Sequence, residues 1–127
     1  MTVSNQILGP IYSRIDDRGA FHEILRDLPW KSIITGEMHK DSELGNHYHK
    51  QTLLFFFLTS GSAEINIVSI ETNEVNRYQL VKNQGIFLRQ FHAHRIRFHE
   101  ESSFILLKSR SYDPQDPDTY RFDFNPE

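Results

Sequence analysis

The stretch Ser62-Ala63-Glu64-Ile65-Asn66-Ile67-Val68 alternates apolar and polar side chains along its length. Its odd-numbered residues are Ala or Ile, and its even-numbered residues are polar up to Asn66. This alternation is typical of a β-strand with one buried face. The turn-forming residues Thr59-Ser60-Gly61 come directly before it, so we predict a hairpin between this strand and the apolar run Leu53 to Leu58.

A second alternating stretch lies between Gly85 and Glu100. Its even-numbered residues share one face of a strand, and they are Ile86, Leu88, Gln90, His92, His94, Ile96 and Phe98. The run Ser103 to Leu107 predicts a further buried strand, whereas helix signals are nearly absent. With turn residues between the strands and neither repeat nor linker, the sequence predicts an all-β sandwich or barrel that forms a single domain over residues 1–127.

The composition excludes several kinds of protein. The 127 residues contain no Cys, so a disulfide framework or a Cys-ligated metal is excluded, and any metal must be held by His and carboxylates. A net charge of -3 without a basic run argues against a nucleic-acid partner. No apolar run approaches the roughly 20 residues of a spanning helix, and the N-terminus lacks signal-peptide features. We therefore expect a cytoplasmic protein with no membrane partner.

The run Leu53 to Leu58 is apolar on both faces of a strand. Its outer face therefore needs cover from a second sheet or from a second chain. For a chain of this length a second copy is the simpler source of cover, so we predict a homodimer.

Two His pairs carry the main functional signal. His47 and His49 are separated by one residue, as are His92 and His94, so each pair shares one face of its strand. On neighbouring strands of a small barrel, the imidazoles of these pairs would converge on one ion or substrate. The alternative is that each is an ordinary surface or core His, which is how we interpret the unpaired His22, His39 and His99.

Several stretches resemble the cupin superfamily. The segment Gly45-Asn46-His47-Tyr48-His49 resembles the first cupin motif, and Gly85 followed by His94 resembles the second. Together with Arg14 to Gly19 and Asp113 to Tyr120, they resemble the cupin half of bifunctional capsular-polysaccharide nucleotide-sugar enzymes, whose other half is a short-chain reductase. More loosely, the chain is similar to the sugar-nucleotide 3,4-ketoisomerases and the dTDP-4-keto-6-deoxyhexose 3,5-epimerases, which are small dimeric cupins.

The resemblance implies a cupin double-stranded β-helix, also called a jelly-roll barrel. It implies a nucleotide-sugar as the small-molecule ligand. Because these 127 residues include no reductase half, no nicotinamide cofactor is expected. The Pro-rich stretch Asp113 to Tyr120 is expected to run in extended form along the barrel wall, with its Asp residues forming turns and caps.

The resemblance leaves metal binding open. In metal-binding cupins a Glu ligand follows the paired His by four or five residues, and here Leu53 and Leu54 occupy those positions. His47, His49 and His94 remain as a three-His set for one divalent zinc, iron or nickel ion. His92 and Gln51 are further candidate donors. The ketoisomerases and epimerases that the chain resembles use the same pocket without a metal.

Moving a proton next to a ketone requires a base, an acid or cation to hold the enolate, and a dry pocket. His47 or His49 is the candidate base, because the pKa of His lies near 6.5. Tyr48 is the candidate opposing acid.

Four cationic side chains are candidates for binding a nucleotide-sugar diphosphate or the enolate, namely Arg18, Lys50, Arg89 and Arg95. Arg18 is included because it resembles an Arg-Gly element near the start of the 3,5-epimerases. Simple alternation places Lys50, Arg89 and Arg95, together with Tyr48, on the outward phase of their strands. The alternative for these residues is a solvated outer surface, and for Arg18 it is an exposed turn.

Three functions are compatible with these residues. The first is epimerisation or isomerisation of a nucleotide-linked 4-keto-6-deoxy sugar in surface-polysaccharide or deoxysugar biosynthesis. The second is a three-His metal-dependent oxygenase or lyase acting on another small molecule. The third is a cupin that binds a sugar without catalysis, which the missing Glu favours.

Overall fold

The computed structural model describes residues 7–124 and forms them into antiparallel strands. No helix is present in this part of the chain, which confirms the all-β prediction. None of its segments could therefore cross a membrane as a helix. The strands are β1 (Tyr12–Asp16), β2 (Gly19–Glu23), β3 (Ser32–Met38), β4 (Glu43–Tyr48), β5 (Leu54–Ser60), β6 (Ser62–Ser69), β7 (Val75–Val81), β8 (Gln84–Leu88), β9 (His92–Phe98), β10 (Ser102–Lys108) and β11 (Tyr120–Arg121).

Two sheets enclose the core of the molecule. The four-stranded sheet has the order β3-β10-β5-β8, and the five-stranded sheet has the order β11-β4-β9-β6-β7. Their inner faces meet in one apolar cluster that includes Phe56 of β5, Ile65 of β6 and Phe98 of β9, all fully buried. β1 and β2 form a separate two-stranded hairpin. Two facing antiparallel sheets of this kind form a jelly roll.

The predicted hairpin between Leu53 to Leu58 and the Ser62 strand is wrong. β5 pairs with β10 and β8, whereas β6 pairs with β7 and β9 in the opposite sheet. The single residue Gly61, with a φ of +90°, takes the chain from one sheet to the other. Alternation identifies a strand and its buried face, but it does not identify the neighbour with which the strand pairs.

The second apolar face of β5 is covered by the same chain. Phe55 and Phe87 pack together on this outer side, with ring centroids 5.0 Å apart. Trp30 stacks on Phe87, and Leu25 and Leu28 from the segment before β3 pack beside it. The cover expected from a second copy is thus supplied internally, so this run no longer argues for a homodimer.

The C-terminal segment lies against the five-stranded sheet. Its short strand β11 pairs with β4, where Tyr120 is opposite Tyr48 and Arg121 is opposite His47. The expected extended course over Asp113 to Tyr120 is present only in part, because a turn closed by the Asp116 N–H and the Asp113 carbonyl interrupts it. Beyond this turn, β11 brings the end of the described chain to the strand that carries the first His pair.

Candidate functional site

A cavity of about 210 Å³ lies between the two sheets. Most of its wall is apolar, with residues of both sheets contributing, among them Leu44, Phe56, Leu88 and Ile96. The polar side chains in the wall are those of His47, His49, His94, Lys108 and Thr119. This combination of an apolar wall and a few convergent polar groups is typical of a small-molecule site.

Three of the predicted His residues meet in this cavity. His47 of β4 is opposite His94 of β9, and their ring centroids are 4.7 Å apart. His49, directly after β4, has its ring centroid 4.9 Å from that of His47 and 5.8 Å from that of His94. One nitrogen from each ring lies within 4.8 Å of the others. The predicted three-His cluster is therefore present.

A β-bulge in β4 aims the first His pair at the cavity. The register passes from Gly45 opposite Arg95 to His47 opposite His94, so Asn46 is an extra residue in the ladder. Gly45 and Asn46 both have a positive φ, at +97° and +61°. A Cβ on Gly45 would lie 2.5 Å from the carbonyl oxygen of His94, so only Gly allows this close approach.

The electrostatics of the cluster keep its imidazoles neutral. Burial, together with the neighbouring His49 and Lys108, lowers the pKa of His47 to about 4. Burial also lowers the pKa of His49, and it lowers the pKa of His94 well below its usual value, with the other two His adding to the effect. Near neutral pH each ring therefore offers a lone pair to a proton or a metal.

His49 is oriented by a backbone hydrogen bond. Its Nδ1 donates to the carbonyl oxygen of Asp118 at 2.6 Å. The opposite nitrogen, Nε2, is buried and has no hydrogen-bond partner among residues 7–124. A neutral imidazole that donates through Nδ1 carries its lone pair on Nε2. This nitrogen is therefore available to accept a proton or to bind a metal.

The three-His set fits a divalent metal of the zinc, iron or nickel kind. Three neutral imidazoles with one open position are a known ligand set for zinc, and the unpartnered Nε2 of His49 is the type of atom that such an ion would satisfy. Within the described chain no carboxylate joins the cluster, and Leu54 forms part of the cavity wall. His92 is half-buried and outside the cluster, and Gln51 is exposed.

Tyr48 and Lys50 lie outside the cavity wall, on the side covered by the C-terminal segment. The ring of Tyr48 stacks on that of Tyr120 at 5.4 Å, and Nζ of Lys50 lies 4.3 Å from the centre of the same ring. The outward phase expected from alternation is therefore what the structure has. Within one chain, neither side chain faces the three His.

The predicted arginines also lie outside the cavity wall. Arg95 lies over the ring of Phe124 and 4.0 Å from the carboxylate of Glu43. Arg18 is exposed at the β1–β2 turn, where it pairs with Asp16 at 2.7 Å, and Arg89 is half-buried after β8.

The unpaired His residues lie on the surface, outside the cavity. His22 is hydrogen-bonded to Ser13, His39 to Glu101 and His99 to Gln79, all on the surface.

Lys108 is a cavity residue that the sequence analysis missed. It ends β10, opposite Leu54, and lines the cavity together with Phe104 and Leu106 of the same strand. The signal was present, because residues 104, 106 and 108 share one phase of the strand and Phe104 is apolar. Extending the predicted strand Ser103 to Leu107 by one residue would have found a cation among the three His.

The two facing sheets and the three-His cluster in the cavity between them define a cupin. The chain belongs to the polysaccharide biosynthesis C-terminal domain family, whose model matches residues 14–120. Comparison with proteins of curated function finds no sequence relative.

Solved structures show the same fold. The capsular polysaccharide assembling protein CapF from Staphylococcus aureus superposes with a TM-score of 0.69 at 23% identity, over 90% of this chain and 33% of CapF. A 3,4-ketoisomerase from Helicobacter canadensis gives 0.76 at 22% identity, over 91% of this chain and 89% of that enzyme. The rmlC epimerase of Mycobacterium tuberculosis gives 0.75 at 20%, covering 86% and 64%. These proteins represent the three groups that the sequence motifs resemble. This chain spans about a third of the length of CapF.

Proposed function

We propose that this chain acts on a nucleotide-linked 4-keto-6-deoxy sugar in surface-polysaccharide or deoxysugar biosynthesis, as a cytoplasmic epimerase or isomerase. The observation that carries the proposal is the cavity wall, in which neutral imidazoles and the ammonium of Lys108 face one apolar space. A base and a cation in a dry pocket are what proton transfer next to a ketone requires. The fold shared with a 3,4-ketoisomerase and an epimerase supports the same chemistry.

In this proposal His49 is the base. Its Nε2 takes the proton from the carbon next to the ketone, and the electron pair of the broken C–H bond moves to the ketone oxygen. The ammonium of Lys108 stabilises the resulting enolate. If water delivers a proton to the opposite face of the same carbon and His49 releases the first proton to solvent, the sugar is epimerised. If the neighbouring hydroxyl passes its proton to the enolate oxygen and His49 returns the first proton to the former carbonyl carbon, the ketone moves by one position. His47, the neighbouring imidazole, is the alternative base.

The size of the cavity supports a sugar as the enclosed group. At about 210 Å³ it is smaller than the sites that enclose a whole drug-sized ligand, which are typically about 300–1,000 Å³. The keto-sugar would occupy it, and the nucleotide would lie outside. Arg18, Lys50, Arg89 and Arg95, all outside the cavity wall, are the candidates for binding its diphosphate.

We also propose that the protein is a homodimer. The β1–β2 hairpin carries exposed apolar side chains, with Ile15 exposed to 75% and Phe21 to 52%. β3 is the edge strand of the four-stranded sheet, and Ile33 on it is 65% exposed. A second copy covering these side chains would remove apolar surface from water. Sedimentation equilibrium at micromolar concentration tests this, and a monomer would contradict it.

A second candidate function is a metal-dependent oxygenase or lyase. The buried, unpartnered Nε2 of His49 favours it, since a bound ion would compensate for the burial of that nitrogen. His47, His49 and His94 would hold the ion. When bound, such a metal acts as a Lewis acid that polarises a substrate oxygen. The third candidate function is sugar binding without catalysis.

Solvent isotope exchange tests the proposed function. The protein is incubated in D₂O with UDP- or dTDP-4-keto-6-deoxyhexose, and deuterium incorporation next to the ketone is followed by NMR. We expect incorporation by the wild type and by the surface control His99→Ala, and none by His49→Ala. If the wild type binds the nucleotide-sugar without deuterium incorporation, only the sugar-binding function remains. If the wild type neither binds the nucleotide-sugar nor incorporates deuterium, the proposal is contradicted.

A further inference from the structure

Asp118 is a buried carboxylate in the C-terminal segment, and its hydrogen-bond partners lie far from it in sequence. It is 2% exposed and has a left-handed φ of +52°. Its Oδ1 accepts a hydrogen bond from the backbone N–H of Lys50 at 2.9 Å. Its Oδ2 accepts from the N–H groups of Gln51 and Thr52 at 3.0 and 2.9 Å, and from the Thr52 hydroxyl at 2.7 Å. Four donors on one side chain are enough to satisfy a buried carboxylate.

These hydrogen bonds fasten the loop that follows His49. Residues 50–52 connect β4 to β5, and their backbone N–H groups point at a single carboxylate from the far end of the chain. The carbonyl oxygen of the same Asp118 accepts the hydrogen bond from Nδ1 of His49. One residue therefore holds both the imidazole and the backbone directly after it.

We propose that Asp118 is the positioning residue of His49. The carboxylate places the Asp118 carbonyl against Nδ1, which keeps the proton of the neutral imidazole on Nδ1 and presents the lone pair of Nε2 to the cavity. Asp118 acts through its backbone and through the loop, and it is not among the residues that line the cavity. The proposal rests on His49 being the working nitrogen of the proposed function, whether it accepts a proton or binds a metal.

The neighbours of Asp118 show that this part of the segment belongs to the site. Thr119 lines the cavity. Tyr120 pairs with Tyr48 in the adjoining strand and lies under the ammonium of Lys50. Asp118 and Tyr120 thus contact the loop and the strand on either side of His49, and Thr119 between them lines the cavity.

The test is Asp118→Asn, with Asp116→Asn as the matched control. Asp116 lies on the same segment but is exposed and pairs with Arg110 on the surface. The tautomer of His49 is read by ¹⁵N NMR of the metal-free protein at pH 7.5, which needs no substrate. The wild type and Asp116→Asn should show one His49 tautomer, with the proton on Nδ1. Asp118→Asn should show a mixture of the two tautomers.

Turnover adds a second readout. In Asp118→Asn we expect kcat to fall by about 10-fold or more while KM changes by less than about 3-fold, because a misplaced base impairs proton transfer more than binding. If Asp118→Asn does not fold, Thr52→Val removes only the hydroxyl donor and should give a smaller shift of the same kind. A single unchanged His49 tautomer in the folded variant overturns the proposal, even if kcat falls. Absence of turnover in the wild type would contradict the proposed function. The tautomer measurement alone would then decide whether Asp118 positions His49.

Discussion

Leu44 and His47 face the same cavity although an odd number of positions separates them. In a regular strand they would point to opposite faces of the sheet. The bulge at Asn46 inserts one residue between them and reverses the phase of the strand from that point. Without it, Tyr48 would face the cavity, and His47 and His49 would face outward. The bulge therefore decides which side chains of the motif form the site.

Replacing Gly45 should damage both stability and site. Gly45→Ala adds a Cβ at a φ of +97°, against the carbonyl oxygen of His94. We expect a loss of about 1–3 kcal/mol in the free energy of unfolding, typical of a non-glycine residue held in such a conformation. Urea denaturation measures it. The control is Gly9→Ala, because a Cβ there meets nothing within 4 Å. An equal, small effect of both substitutions would show that the close approach is not required.

Lys108→Met should remove the charge of the cavity wall while retaining much of its apolar packing. We expect kcat for the proposed keto-sugar reaction to fall by about 10²-fold or more, as for the loss of one group that stabilises an oxyanion. Lys108→Arg should retain part of the activity. Lys82→Met, on the exposed β7–β8 turn, is the control and should behave like the wild type. Unchanged kinetics in Lys108→Met would exclude Lys108 from the chemistry.

The metal-free protein should lose stability as the pH falls. Burial holds the pKa of His47 at about 4 in the folded state, whereas an unfolded chain takes up this proton near pH 6.5. Between these values the unfolded state binds more protons, so the free energy of unfolding decreases as the pH is lowered through this window. Urea unfolding with chelator at pH 7.5 and 4.5 measures the decrease. It should be smaller in His47→Gln and unchanged in His99→Gln; an equal decrease in both variants would contradict the assignment.

Chelation should distinguish a metal-binding site from a metal-free site in which a His transfers the proton. If the three His hold a metal, the purified protein should contain close to one zinc, iron or nickel ion per chain, measured by mass spectrometry. His94→Ala would leave only two of the clustered imidazoles, too few for a tight site, so metal and activity should be lost together. Exhaustive chelation of the wild type should reproduce that loss. Full activity after chelation, with no metal detected, would leave direct proton transfer by His.

The sequence predicted the local structure of this molecule better than it predicted the long-range contacts. Alternation predicted β6 and β9 and the shared phase of His92 and His94, because side-chain direction depends only on neighbouring backbone. The same spacing of the two His pairs led to the expectation that they would converge if their strands were neighbours, and β4 and β9 are paired. Alternation did not predict the partner of β5, since pairing depends on where the chain crosses at Gly61.

No sequence pattern near Asp118 predicted its contacts. Its carboxylate binds backbone groups more than 60 positions earlier in the chain, and backbone donors are the same in every residue type except Pro. The Pro-rich pattern predicted a tail that runs along the barrel wall, but nothing in it distinguished this Asp from the exposed Asp113 and Asp116 nearby.

The two-residue strand β11 has a further effect on the sheet that it joins. Because it pairs with β4, the strand that carries His47 is an interior strand and not the margin of the five-stranded sheet. Without Tyr120 and Arg121, the free N–H and C=O groups of β4 would be open to pairing with any other extended chain, which is a common start of aggregation. A C-terminus shortened before Tyr120 would thus make β4 an exposed edge strand that can pair with other chains. Both solubility and function would then decrease.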